Sequence, residues 1–165
     1  MMDEAKKIEL LTQHIDNVQA NCKIMARELI KKGEVETAKK LLIRSQRHDF
    51  SKWSGIEWEN LVGEPVSKAA LRIAVHHHAT TNNHHPEYFK GGITEMDEIS
   101  LIECVCDWKA RSTEFASDLR QWITKEATRK YKFGKKSDIY KQIMAYVDMI
   151  CSKPFETTIT DEPTK

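Results

Sequence analysis

Apolar residues recur in steps of three and four along most of this chain, a spacing that predicts helices. A first helix is expected over about Asp3 to Lys32, where Ile8, Leu11, Ile15, Val18, Cys22, Met25 and Leu29 form a core-facing stripe. Gly33 ends it. His14 sits at the edge of that stripe, beside Ile15. A second helix is expected over about Glu34 to Arg47, with Val35, Ala38, Leu41 and Leu42 inward. The stretch Trp53 to Pro65 is looser and reads as a short helix or turn broken by Gly63 and Pro65. A third helix starts near Ser67, a good N-cap, and sets Leu71, Ala74, Val75 and His78 on one face. Thr80 to Asn83 breaks it, because these side chains compete for backbone hydrogen bonds. Three further helices are expected: about Glu95 to Phe115, with Leu101, Val105, Trp108 and Phe115 buried; about Asp118 to Tyr131; and one from near Ser137 to Pro154.

No strand-like alternation lasts five residues, and no repeat is visible. The pattern therefore predicts an all-α fold, a single helical bundle of about six helices over residues 1–153. A polar tail, 154–165, is expected to be disordered. The length of 165 residues suits one substantial core.

Composition removes several function classes. The net charge of +1 gives no electrostatic case for a nucleic-acid or anionic-membrane partner. The basic run Lys125 to Lys136 reads as a solvated helix face. No apolar run is long enough to span a bilayer, and Met1 to Lys7 is too charged for a secretory signal. Cys22, Cys104, Cys106 and Cys151 each fall among apolar residues, and read as buried reduced thiols in a cytoplasmic protein. Exposed apolar faces on the last two helices are expected to permit a homodimer.

The histidines carry the chemistry. Five of the seven lie in Ala74 to Phe89. Clustered neutral imidazoles compete for donors and protonated ones repel; a divalent metal resolves both problems. Other segments offer further ligands: His14, the pair His48-Asp49, and Asp107 beside Trp108. Imidazole and carboxylate together suit Mn, Fe, Zn, Ni or Co. Helical phase favours His78 over His77 as the inward member.

The ordered set His … His-Asp … Asp on successive helices resembles the HD-domain superfamily of metal-dependent phosphohydrolases. His48-Asp49-Phe50-Ser51-Lys52 is similar to its H-D-x-x-K signature, and the extra histidines resemble its two-metal branch. His78, Asn82, His84, His85, Pro86, Glu87 and Tyr88 also resemble an H-x-x-x-N-x-H-H-P-E-Y pattern of short bacterial and phage proteins that has no assigned activity. The G-Y-P element of the superfamily's cyclic-dinucleotide phosphodiesterases is missing. The resemblance implies an HD-like bundle holding one or two divalent ions. His14, His48, Asp49 and Asp107 would hold the first, and Asp49 would bridge to a second held by His78 and either His84 or His85. It implies hydrolysis of a small phosphate ester, such as a nucleotide, by metal-activated water. Lys52 would set a positive charge beside the phosphate. Glu57, Glu87 or a spare histidine would protonate the leaving group. Arg111, one turn after Asp107, would bind a phosphate oxygen; Trp53 and Trp58, near the His-Asp pair, read either as stacking on a nucleobase or as core packing. Asn82 and Glu87 would orient imidazoles.

Two other readings share these ligands. One is a di-iron oxygenase of the same superfamily acting on a small organic substrate. The other is a helical binding protein whose metal is not catalytic.

Overall fold

The computed structural model describes residues 2–151, so the expected disordered tail at 154–165 lies outside the described residues. Among the described residues there is no strand, and the fold is all-α. The long helix α1 (Glu4–Lys31) is N-capped by Asp3, whose side chain accepts from the backbone N–H of Ala5. Gly33, with φ of +84°, turns the chain; its own N–H and that of Glu34 satisfy the carbonyls of Ile30 and Leu29 at 2.9 Å each. The chain folds back as α2 (Val35–Ser45) against α1.

A 3₁₀ turn (Phe50–Trp53) leads to the short α3 (Gly55–Leu61), which packs on α4 (Lys68–Thr81). Ser67 caps α4 by accepting from the N–H of Ala70, and Asn82 closes it. Two further 3₁₀ turns (Pro86–Tyr88 and Gly92–Glu95) carry the chain to the central helix α5 (Glu98–Glu114), capped by Asp97. The chain then forms α6 (Leu119–Trp122), a π-helical turn (Ile123–Ala127), α7 (Thr128–Lys130) and α8 (Asp138–Cys151).

Helix α5 is the spine. Every residue from Ser100 to Trp108 is buried, and α1, α2 and α8 pack around it. A helix enclosed on most of its circumference must be apolar or have each polar group matched. Ile102 and Val105 meet the first condition; Glu103 and Asp107, on the same helix, meet the second through partners described below.

Several positions depart from the expected stripes. Ile8 is 49% exposed, Val35 41% and Val75 50%; Ile8 and Val35 lie in the first turns of their helices, and Val75 is mid-helix on an uncovered face of α4. Phe115 is 73% exposed because α5 stops at Glu114, and the ring overhangs a cleft instead of entering the core. Cys151 is exposed while the other three thiols are buried, as it ends α8. The last helices turn Ile143, Val147 and Ile150 inward and hold no exposed large apolar residue among the described ones. They offer no apolar dimer face of the kind expected. No helix among the described residues is long and apolar enough to cross a membrane.

The core assignment is tested by two isoleucines. Ile102→Ala, at a fully buried site, is expected to destabilise by about 2–5 kcal/mol in urea unfolding, and Ile43→Ala, at a site 72% exposed, by about 0.5 kcal/mol or less. Equal effects would contradict the packing.

Candidate metal centre

The turn after α2 creates the site. His48 and Asp49 are adjacent in the chain, yet both are buried and turned inward. Asp49 manages this with φ of +57° and ψ of +21°, the left-handed region that Asp tolerates better than most side chains. Its carboxylate is 1% exposed and enclosed by imidazoles. Oδ2 lies 3.2 Å from His14 Nε2, while Oδ1 lies 3.2 Å from His78 Nε2, 3.4 Å from His84 Nε2 and 3.6 Å from His48 Nε2. Asp107, from α5, brings Oδ1 to 3.2 Å from His14 Nε2.

Five elements therefore meet at one carboxylate: α1 through His14, the α2 turn through His48 and Asp49, α4 through His78, the loop after α4 through His84 and His85, and α5 through Asp107. His48 and His84 lie with ring centroids 4.3 Å apart, and His84 and His85 4.4 Å apart. The loop thus turns toward His48, and both of its histidines enter the cluster, so the choice between them does not arise. Three overlapping groups have donor atoms within 4.8 Å of one another: His14, His48 and Asp49; His48, His84 and Asp107; and His78, His84 and His85. Between His77 and His78, the inward one is His78; the His77 side chain is 51% exposed.

The second nitrogen of three rings shows how they are aimed. His14 Nδ1 contacts Glu114 at 2.8 Å, His48 Nδ1 contacts Glu103 at 2.9 Å, and His78 Nδ1 contacts Glu57 at 2.8 Å. A carboxylate accepting from Nδ1–H keeps the proton on that nitrogen, so in the neutral ring Nε2 presents a lone pair to the centre. Asn82, which closes α4, adds its side-chain amide to Ser51 at 3.0 Å and to the His78 carbonyl at 2.9 Å. The Nε2 atoms of His14, His48, His78, His84 and His85 are buried without a hydrogen-bond partner, as are one oxygen each of Asp49 and Asp107. Buried polar atoms rarely lack partners. Seven of them gathered in overlapping groups fit a ligand that accepts lone pairs, a cation above all. A divalent ion meets that requirement with the oxygen and imidazole donors present.

Charge supports the same fit. Asp49, Glu57, Glu103 and Asp107 are four nearly fully buried carboxylates. They face one ammonium, Lys52 at 2.5 Å from Asp49, and one guanidinium, Arg44 at 2.5 Å from Glu103. With neutral imidazoles two negative charges stay uncompensated in a low-dielectric interior, which is costly. In the protein alone, protons answer that excess. Burial works against the charged form of His14, but Asp107 and Asp49 outweigh it and raise its pKa to about 9. Burial likewise opposes charge on His48, while Asp49 and Glu103 raise it. For His85 burial prevails, with His84 adding to it, and its pKa falls to about 2. Burial opposes ionisation of Asp49 and Asp107 also, yet neighbouring imidazoles hold both well below the usual carboxylate range.

A cleft of about 550 Å³ opens on the cluster. His78, His85, Asp107 and Lys52 lie on its floor side, Arg111 and Lys130 on its rim, and Leu61, Trp108, Trp122 and Tyr131 form an apolar wall. Trp108 stacks on Tyr131, ring centroids 5.7 Å apart and 14° from parallel. The π-helical turn lies between Trp122 and Lys130, so both sides of that irregularity reach the cleft.

Other expected site residues land as follows. Lys52 is buried, not a surface lysine. Arg111 pairs with Glu114 at 3.2 Å instead of with Asp107. Glu57 is committed to His77, His78 and Ser51, and these contacts lower its pKa against the effect of burial, so it orients imidazoles and is poorly suited as an acid. Glu87 lines the cleft, 3.4 Å from Lys130, and touches no ring of the cluster. Trp53 stacks on Trp58 with centroids 6.0 Å apart and lines none of the three clefts described in this structure, so it is not placed to hold a substrate. Two residues escaped the sequence reading, Glu103 and Glu114. Their trace was available: 103, 107 and 114 fall on one side of α5 at helical spacing, a polar stripe along an otherwise buried helix.

Fold and site together define an all-α protein with a buried histidine–aspartate centre. The chain belongs to the family described as "Family of unknown function (DUF5662)", whose model matches residues 3–153. No curated protein and no solved structure matches it.

Two measurements probe the centre. A metal needs a neutral imidazole at His14, whose pKa is raised to about 9, so binding displaces its proton at every pH below that value and not above it. Calorimetric zinc titration at about pH 7.5, in two buffers of different ionisation enthalpy, should report at least about one proton released, and apparent affinity should rise with pH until about 9. No release would contradict the arrangement. Separately, Glu103→Gln should weaken metal binding by about 10–100-fold in competition with a chromogenic chelator. An unchanged affinity would remove Glu103 from the site.

Proposed function

We propose that this chain is an HD-type metal-dependent phosphohydrolase acting on a small phosphate ester, nucleotides being the first class to try. The observation that carries the proposal is the Asp49 carboxylate, which has His14 on its Oδ2 side and His78 and His84 on its Oδ1 side, beside an open cleft. His14, His48, Asp49 and Asp107 would hold one divalent ion, and Asp49, His78, His84 and His85 a second. When bound, such ions supply Lewis acidity that generates a nucleophile from water at neutral pH and offsets phosphoryl charge. Two divalent ions would reverse the site's excess of two negative charges into two positive ones, a balance that favours an anionic substrate.

The protein's own groups complete the reading. Lys52 reaches the cleft with its ammonium held on Asp49, a fixed charge that loses little freedom when phosphate arrives. Arg111, 44% exposed at the rim, can exchange Glu114 for a phosphoryl oxygen. The wall of Trp108, Trp122 and Tyr131 shields the reacting end from water and suits a flat or apolar leaving group. Glu87 is the cleft carboxyl group not tied to an imidazole, and is assigned the proton for that leaving group.

The test is phosphate release from a panel of nucleotides and simple phosphate esters by protein loaded with Mn, Fe, Co, Ni or Zn. Turnover is expected, and Lys52→Ala should lower kcat/KM by about 100-fold or more. Arg111→Ala should act mainly on KM. An occupied site that releases phosphate from no compound would overturn the proposal, and oxygen consumption in its place would favour the di-iron reading.

A further inference from the structure

A second cleft, of about 630 Å³, lies behind the cluster. His84 and Glu103 mark where it meets the centre, whereas His85 and Asp107 face the first cleft. The two loop histidines thus look toward different openings. The wall of the second cleft has a chemistry unlike that of the first. Lys40 and Arg44 lie one turn apart on α2, and Arg47 follows in the turn just after the helix ends at Ser45. Asn82 and Asn83 stand opposite, from the loop after α4.

The contrast lies in how the cations are matched. In the first cleft each is tied to a carboxylate: Lys52 to Asp49, Arg111 to Glu114 and Lys130 to Glu87. In the second, Arg44 alone has an acidic partner close by, and Glu103, the carboxylate lining that cleft, is divided between Arg44 and His48. The guanidinium of Arg44 is held by Glu103 at its Nε and by the side-chain oxygen of Asn83 at one Nη, with Asp97 3.9 Å from the other. That oxygen is occupied, so the amide nitrogen of Asn83 is the group left to donate. The cleft is therefore rich in donors and poor in acceptors, with a braced arginine between the exposed cations Lys40 and Arg47. Such a wall complements a ligand made of acceptors, and among common biological groups a phosphate offers the most for its size.

We propose that this second cleft binds a phosphate group carried on a small molecule, with Lys40, Arg44 and Arg47 as its cationic contacts. The site does not depend on the reaction assigned to the metal centre. Its volume exceeds that of a bare phosphate and leaves room for an attached organic body, against which Ile43, 72% exposed, provides an apolar contact. Because Arg44 also braces Glu103, and Glu103 braces His48, a ligand here touches the support of the centre without entering it.

The experiment follows backbone amide shifts of the full chain, with and without added metal, as inorganic phosphate or a nucleoside monophosphate is titrated. Saturable shifts are expected in residues 40–47 and 82–84 with both probes and in both metal states. Tighter binding of the nucleotide would show that the organic body is also held, and equal binding that the phosphate alone is recognised. Lys40→Glu with Arg47→Glu should weaken binding at least about tenfold, leaving helical circular dichroism unchanged. Lys125→Glu with Arg129→Glu changes the net charge equally on exposed side chains elsewhere, and should have little effect. The proposal fails if residues 40–47 and 82–84 show no saturable shifts in the metal-free protein, or if the two charge reversals act alike.

Discussion

A buried carboxylate ringed by imidazoles is the constraint that this structure is arranged around. Asp49 has almost no contact with water and sits in a left-handed turn that most side chains avoid. Its two oxygens face different histidines. An ordinary core would remove such a group or give it a single arginine. Here five elements deliver lone-pair donors to it, and three further carboxylates fix the far side of the rings. A proton on His14 relieves part of the charge in the protein alone, and a divalent ion would relieve it better, since it satisfies several donors at once.

The rest of the fold follows from holding that geometry. Helix α5 must bury Glu103 and Asp107 while contributing Ile102 and Val105 to the core, so it runs through the middle with α1, α2 and α8 around it. Rigidity there suits a site in which displacement of about 1 Å matters. The two clefts then differ by what borders them. One has an aromatic wall and cations each tied to a carboxylate; the other has amides and the exposed Lys40 and Arg47 flanking a paired Arg44.

Much of this was legible in the sequence, and the reasons for the exceptions are physical. Helical spacing located the helices within a few residues, because core-facing periodicity is a strong constraint over three or more turns. It misjudged Val35, Val75 and Phe115, since a stripe says which face points inward but not how far along the helix a neighbour extends. The ligand residues stood out because histidine is uncommon and its neighbours formed an ordered set. Glu103 and Glu114 did not, because glutamate on a helix is ordinary, and only burial reveals that one of them cannot be a surface charge. Glu57 and Trp53 were given chemical roles by their nearness to His48-Asp49 in sequence. The chain turns after Lys52, so Glu57 comes to support His78 while Trp53 stacks on Trp58 away from the clefts.

Under the proposed function, Asp49 would stand between two ions. Anomalous diffraction from crystals grown with manganese tests it directly. The account predicts two peaks flanking the Asp49 carboxylate, one toward His14 and Asp107 and the other toward His78 and His84. A structure with no peak in the cluster, or with Asp49 outside the coordination of every ion found, would contradict it.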